Sequence, residues 1–197
     1  MVCIGCLGMG RGPLCVVCEM GMQTPPDRFL PGGIRLIAAF EHTGLAARLV
    51  SGLKYRGAHG YAAVVAGRLA SRLPVLPLVP VPRVLTRYVR YGVDPADELA
   101  VALARRTGAP VVRLLRRPVH TPHRAGRNRL RSAPSFLSDR SMSGPVILVD
   151  DVVTTGSTLA AAAAALVGAP VALAVAANDA FGADSDVFGS REGTRQP

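Results

Sequence analysis

Residues 146–158 constrain the fold of this 197-residue chain more than any other segment. The apolar run 146–149 ends at Asp150 and Asp151, and the small polar run 154–158 leads into an alanine-rich stretch. This order predicts a strand, a loop and a helix. Ligands of open α/β sheets bind beyond the carboxyl ends of the strands, so both carboxylates are expected to face a site.

The second half of this segment predicts a phosphate-binding loop, made of Thr154, Thr155, Gly156, Ser157 and Thr158. Such a turn presents backbone N–H groups, hydroxyl donors and a helix N-terminus to one anion. Gly156 permits a positive φ or a close backbone approach. A ribose 5-phosphate fits both halves, because the two acids accept hydrogen bonds from ribose hydroxyls while the loop holds the phosphate.

Two other interpretations are open for this segment. A strand that ends in two acids is also typical of a Walker B site, but the chain lacks a GxxxxGK[ST] loop and its one lysine is Lys54. The acids and hydroxyls would otherwise serve only as turn and helix caps. The complete run, with both halves at this spacing, favours the ribose-phosphate site.

The four cysteines lie within the first 18 residues, as Cys3, Cys6, Cys15 and Cys18. Two CxxC pairs separated by eight residues predict a tetrahedral four-thiolate site for a structural Zn²⁺, with no coordination position left for catalysis. A redox CxxC would not need the second pair, and free buried thiols rarely come in two such pairs. The placement also argues against a secreted disulfide framework, so we expect a cytoplasmic protein.

Strand-like and helical patterns alternate along the rest of the chain, which predicts an α/β fold with a parallel sheet flanked by helices. The best delimited helix has Asp94 as its cap, Pro95 in its first turn and Gly108 at its end. A strand is expected over 111–115. The predicted organisation is a four-cysteine zinc ribbon at 1–24, a linker at 25–33, the α/β domain at 34–178 and a disordered tail at 179–197.

The chain is strongly basic, with 23 Lys and Arg residues against 13 Asp and Glu residues. Residues 83–131 hold twelve arginines and three acids, so this region is a candidate contact for single-stranded DNA, the alternative being a solvated surface. The apolar run 159–177 is nearly long enough to cross a bilayer, but Gly168 and Pro170 interrupt it, and we expect no transmembrane segment.

The cysteine ribbon followed by VDDVVTTGST resembles the ComF family, which has roles in DNA uptake during natural competence. Residues 52–57 and 79–83 are similar to the family's lysine-containing turn and Val-Pro-Val-Pro segment. The resemblance implies a type I phosphoribosyltransferase-like fold that binds 5-phosphoribosyl-1-pyrophosphate (PRPP) with Mg²⁺. It implies that Asp150 and Asp151 bind the ribose, and that Pro82 and Arg83 lie near the pyrophosphate.

The chain departs from the family pattern at residues 90–95 and 121–135, which would form the acceptor side of the site. We therefore expect PRPP binding, and an altered acceptor side. Three functions are compatible with this: transfer of a phosphoribosyl group to an unknown acceptor with release of pyrophosphate, handling of single-stranded DNA, and PRPP-responsive regulation without turnover. An oligomer of this chain is compatible with each of these three functions.

Overall fold

The computed structural model describes residues 1–29, 34–56, 59–83, 92–118, 135–138, 144–154, 156–166 and 170–178. Within these ranges the chain is a mixed α/β protein with a small parallel sheet and a four-cysteine cluster near its N-terminus. The helices are α1 (Val16–Met20), α2 (Gly44–Arg56), α3 (His59–Leu69), α4 (Pro95–Thr107) and α5 (Ser157–Ala165), with a 3-10 turn at Ala70–Arg72. The strands are β1 (Arg28–Phe29), β2 (Arg35–Glu41), β3 (Leu78–Pro80), β4 (Leu115–Arg116), β5 (Leu137–Ser138), β6 (Val146–Val153) and β7 (Pro170–Asn178).

The main sheet has the strand order β1-β2-β7-β6-β3. Strands β2, β7, β6 and β3 run parallel, and only β1 is antiparallel to its neighbour. Parallel strands require crossover connections, so the carboxyl ends of β2, β3, β6 and β7 all lie along one edge. The end of β3 lies beside β6, with Pro80 opposite Val149. Strands β4 and β5 form a separate antiparallel pair.

Apolar residues cover both faces of the sheet, as the predicted doubly covered sheet requires. On one face, Ile147 and Val149 of β6 share a core with helices α2, α3 and α4. On the other face, Val146 and Leu148 share a core with Leu159 of helix α5. The buried residues from Val146 to Val149 thus alternate between two separate cores, which is the pattern of a strand buried on both sides. Beyond the acid pair this alternation is not kept, since Val153 packs in the same core as Val146.

The predicted boundaries of helix α4 are confirmed. The Asp94 side chain accepts a hydrogen bond from the Ala96 N–H at 3.1 Å, and Pro95 is the first helical residue. Gly108 ends the helix in a left-handed conformation with φ of 74°, and its N–H bonds to the Ala104 carbonyl. These local signals identify the helix because each satisfies a backbone group that a helix end leaves unpaired.

The cysteine segment packs directly on the rest of the protein. Cys3, Leu14 and Met22 are buried in the same core as α2 and α3. Leu45 also packs against this core, and a Cβ built on Gly60 would lie 3.5 Å from the Pro13 side chain. Strand β1 lies within the stretch predicted as a linker, at 28–29, and pairs with β2.

Two sequence predictions differ from the structure. The strand expected over 111–115 is not formed: Val111 makes a single bridge to Leu78, and strand β4 begins only at Leu115. The strand predicted to stop at Val149 continues to Val153, so it includes the acid pair. No helix in the described part of the chain has the length and apolarity needed to cross a membrane.

Candidate functional site

A cavity of about 190 Å³ lies at the carboxyl edge of the sheet, where β3 and β6 end next to the N-terminus of helix α4. It joins sequence segments that are far apart in the chain. The residues that line it are Val81, Pro82, Arg83, Asp94, Pro95, Ala96, Arg117, Asp150, Asp151, Val152 and Thr158. Of the predicted ligand-binding residues, Pro82, Arg83, Asp150, Asp151 and Thr158 therefore share one cavity.

The acid pair lies in the last part of β6. Asp150 is 9% exposed, and it is the one charged residue among the described residues that counts as buried. Its Oδ1 accepts a hydrogen bond from the Asp151 N–H at 2.8 Å, and Asp151 Oδ1 accepts one from the Val152 N–H at 2.9 Å. Each carboxylate is thereby oriented by the backbone of the following residue, and both border the cavity.

The small polar loop forms a second recess of about 20 Å³ beside the acid pair, bordered by Asp150, Thr154, Gly156, Ser157 and Thr158. Of the two reasons that the sequence offered for a glycine at this position, Gly156 shows the positive φ, at 73° in the left-handed region, and helix α5 begins at the next residue. A helix N-terminus at a recess of this kind favours an anion. Thr155, the remaining predicted loop residue, lies outside the described residues.

Pro82 and Arg83 follow directly from strand β3. The Val81 N–H donates to the Val149 carbonyl at 2.9 Å, so the chain is still held against β6 where it enters the cavity. The Arg83 N–H then donates to Asp94 Oδ2 at 2.9 Å, and Arg83 Nη1 donates to the Val93 carbonyl at 3.2 Å. Arg83 is thus fixed at the cavity by the segment that starts helix α4.

Asp94 has a second role that its capping position did not reveal. Because it accepts hydrogen bonds from both Ala96 and Arg83, it joins the start of α4 to the loop after β3. Burial raises the pKa of Asp94, although the N–H groups of Arg83, Ala96 and Asp97 oppose this shift. A third carboxyl group therefore borders the cavity with Asp150 and Asp151.

Arg117 is a cavity residue that sequence analysis did not identify. Its Nε donates to the Pro82 carbonyl at 2.9 Å, and its guanidinium carbon lies 4.7 Å from the centre of the Phe136 ring. The aromatic face and the carbonyl orient the guanidinium across the loop after β3. In the sequence, Arg117 was one of twelve arginines in 83–131, with no local motif to distinguish it.

The four cysteines form a compact cluster. Their sulfur atoms all lie within 4.8 Å of one another, and the sulfurs of Cys6 and Cys15 are 3.7 Å apart. Zinc–sulfur bonds of about 2.3 Å in a tetrahedron separate the sulfurs by about 3.8 Å. The Cys6–Cys15 distance is close to this value, and the sequence prediction that these four residues converge is confirmed.

Backbone donors prepare one of these thiols for metal binding. The N–H groups of Cys15 and Gly5 point at Cys3 Sγ, at 3.2 Å and 3.4 Å. The N–H of Cys15, followed by that of Cys6, lowers the pKa of Cys3 to about 6. Desolvation instead raises the pKa of Cys18. Since the thiolate is the metal ligand, these donors favour the ligating form of Cys3.

Much of the basic region lies outside the described residues. Residues 84–91 and 119–134 belong to that part of the chain, so the predicted DNA-contacting surface over 83–131 stays a prediction. The altered acceptor segments, 90–95 and 121–135, are likewise described only at 92–95 and 135. The predicted tail at 179–197 is outside the described residues as well.

Comparison with known proteins gives no independent assignment. No family model matches the chain, and no curated protein matches it. The functional conclusion therefore depends on the residues and geometry of the two sites.

Proposed function

We propose that this chain is a PRPP-binding, type I phosphoribosyltransferase-like protein of the ComF kind. The observation that carries the proposal is the single cavity that joins the acid pair to Pro82 and Arg83. In the sequence, the acid pair was assigned to the ribose of PRPP, and Pro82 and Arg83 were assigned separately to its pyrophosphate. Their convergence is what a ligand with a ribose between two phosphate groups requires.

Each group in the cavity has a role that follows from its chemistry. Asp150 and Asp151 accept hydrogen bonds from the ribose hydroxyls, and the recess at Gly156 and Ser157 holds the 5-phosphate. Arg83 and Arg117 lie where the pyrophosphate would extend, and guanidinium groups suit phosphate oxygens. Carboxylates with a phosphate-bearing substrate also form the donor set that Mg²⁺ prefers, and bound Mg²⁺ would neutralise charge on the pyrophosphate.

In the transfer reaction, an acceptor nucleophile displaces pyrophosphate from the anomeric carbon of PRPP. The bond to the pyrophosphate oxygen breaks as the bond to the acceptor forms, through an oxocarbenium-like transition state. Asp150 and Asp151 would hold the ribose in place, and the arginines would stabilise the departing negative charge. Positioning and electrostatics thus carry the step.

The cysteine cluster is proposed to bind one structural Zn²⁺ through Cys3, Cys6, Cys15 and Cys18. Its distances fit tetrahedral sulfur coordination, and four thiolates leave no open position for substrate. Elemental analysis of the purified protein should give one zinc per chain. A value far below one, in protein that is still folded, would contradict the proposal.

Binding is tested by titrating PRPP into the zinc-loaded protein with Mg²⁺ in a calorimeter. Asp150→Asn and Asp151→Asn should each weaken binding at least tenfold, because an amide offers one acceptor oxygen in place of two. Asp97→Asn is the matched control, since Asp97 pairs with Arg113 outside the cavity. If the wild-type protein gives no binding heat with PRPP, and a second binding method also detects no complex, the proposed function is rejected.

Turnover is tested by measuring pyrophosphate release from PRPP across a panel of bases, amines and single-stranded DNA. Release that depends on one acceptor class identifies a transferase and its substrate. Tight PRPP binding without release from any of them identifies a PRPP-responsive binding protein instead.

A further inference from the structure

Tyr61 is a buried tyrosine whose hydroxyl has no hydrogen-bond partner. Its side chain is 0% exposed, and its oxygen is the one buried side-chain nitrogen or oxygen among the described residues that makes no hydrogen bond. A buried polar atom without a partner costs free energy, and phenylalanine would fill the same space without that cost. Such an atom in a well-packed core therefore calls for an explanation.

The register of the sheet places the aromatic neighbour of Tyr61 at the height of the acid pair. The Tyr61 ring stacks on Phe40, with the ring centres 6.4 Å apart. Phe40 of β2 and Val152 of β6 both pair with Ala177 of the strand between them. Phe40 thus lies level with Val152, one residue past Asp151, at the carboxyl edge of the sheet.

The core around Tyr61 also contains the residues of β6 that flank the acid pair. Ile147 and Val149 belong to the core that contains Tyr61. Val152, the residue after Asp151, packs against the same core, so the strand on both sides of the acid pair contacts the core that contains Tyr61. Burial, and then the negative charge of Asp151, raise the pKa of Tyr61. Tyr61 does not itself line the cavity, whereas Asp151 does.

We infer that Tyr61 is a positioning residue for Asp151, and that its hydroxyl donates to the Asp151 carboxylate when a ribose phosphate is bound. This inference depends on the proposed function. With one carboxylate oxygen held by Tyr61, the other is directed at a ribose hydroxyl. A hydrogen bond to an ionised carboxylate is stronger than a neutral one, so the unpaired hydroxyl of the free protein becomes a favourable contact in the complex.

The test is Tyr61→Phe in the full-length, zinc-loaded protein. Phenylalanine keeps the ring against Phe40 and removes only the unpaired oxygen, so the free protein should unfold at the same or a higher urea concentration. Binding of ribose 5-phosphate with Mg²⁺ should weaken about tenfold, by the loss of one hydrogen bond to a charged group. The affinity of Tyr61→Phe for inorganic pyrophosphate, which does not use the ribose contact, should stay within twofold of the wild-type value.

A double-mutant cycle shows whether Tyr61 acts through Asp151. In the Asp151→Asn background, Tyr61→Phe should cause little further loss of ribose 5-phosphate affinity, because the shared partner is already altered. Unchanged ribose 5-phosphate affinity in Tyr61→Phe alone, or equal losses for ribose 5-phosphate and pyrophosphate, would overturn the inference while leaving the proposed function intact. A wild-type protein that binds neither ribose 5-phosphate nor PRPP would reject both.

Discussion

The backbone N–H of Arg83 donates to Asp94 Oδ2 at 2.9 Å, while Asp94 Oδ1 accepts from the Ala96 N–H at 3.1 Å. One carboxylate therefore begins helix α4 and fixes the loop that follows β3. The two elements meet at the cavity, so the geometry of the pyrophosphate side depends on this residue.

Asp94→Asn separates these two functions. Asparagine is as good a helix cap as aspartate, but it has one acceptor oxygen, so the Arg83 N–H loses its partner. The free energy of unfolding should fall by about 1 kcal/mol, and pyrophosphate should bind several-fold more weakly. Urea unfolding and calorimetry measure the two effects. The control, Asp97→Asn on the same helix, should leave pyrophosphate binding unchanged, and an equal loss in both variants would contradict the role of Asp94.

Arg117→Lys tests the guanidinium at the cavity. Lysine keeps the positive charge, but it cannot both stack on Phe136 and direct several donors towards phosphate. Pyrophosphate affinity should drop about tenfold while stability changes by less than about 1 kcal/mol. Arg113→Lys, at an exposed arginine that pairs with Asp97, is the matched control. If the two variants bind pyrophosphate equally well, Arg117 has no specific role.

Gly5→Ala should damage the cysteine cluster. A Cβ at this position would lie 3.0 Å from Cys18 Sγ and 3.0 Å from Leu45 Cδ2, so both the cluster and its contact with α2 must shift. We expect a loss of about 1–3 kcal/mol in stability and reduced zinc content. At Gly12 the nearest atom to a Cβ is the Leu14 carbonyl at 3.7 Å, so Gly12→Ala should retain zinc. Full zinc occupancy and unchanged thermal unfolding in Gly5→Ala would contradict the packing described.

Asp27 should make stability depend on pH in the acid range. It pairs with Arg35 and Arg72, and Arg72 also donates to the Ala38 carbonyl at 2.8 Å. Desolvation acts to raise the pKa of Asp27, but the hydrogen bonds and charges of the two arginines outweigh it and lower the pKa. The stabilisation is therefore present above the unfolded pKa of about 3.9 and is lost as the pH falls through the lower folded value.

Asp27→Asn should accordingly reduce the free energy of unfolding by about 1 kcal/mol at pH 7, a modest value because the pairs are partly exposed to solvent. The difference from the wild type should be constant between about pH 7 and 5 and should shrink below about pH 4. Glu19→Gln, which loosens the 3.5 Å pair with Arg68, should have a smaller effect. A wild-type advantage that persists unchanged at pH 2 would exclude Asp27 as its source.

Local signals in the sequence were sufficient to predict those parts of the fold that residues close together in the chain determine. The capped helix α4 was predicted because Asp94, Pro95 and Gly108 act within one turn of its ends. The convergence of the cysteines was predicted because two residues separate the members of each pair. The strand–loop–helix around Asp150 was predicted for the same reason, since its apolar run and its small polar turn are contiguous.

The sequence by itself thus determined the acid pair, the small polar loop and the four thiols, while the structure showed that Gly156 has a positive φ. Only the tertiary structure decided that Arg83, Asp94 and Arg117 border the same cavity as that acid pair, because the pairing of β3 with β6 brings these distant segments to one edge. It also placed Phe40, on which Tyr61 stacks, level with Val152, the residue after Asp151, through strand register across β7. Hydrogen bonds between strands and packing between helices fix such positions, and neither depends on distance along the chain.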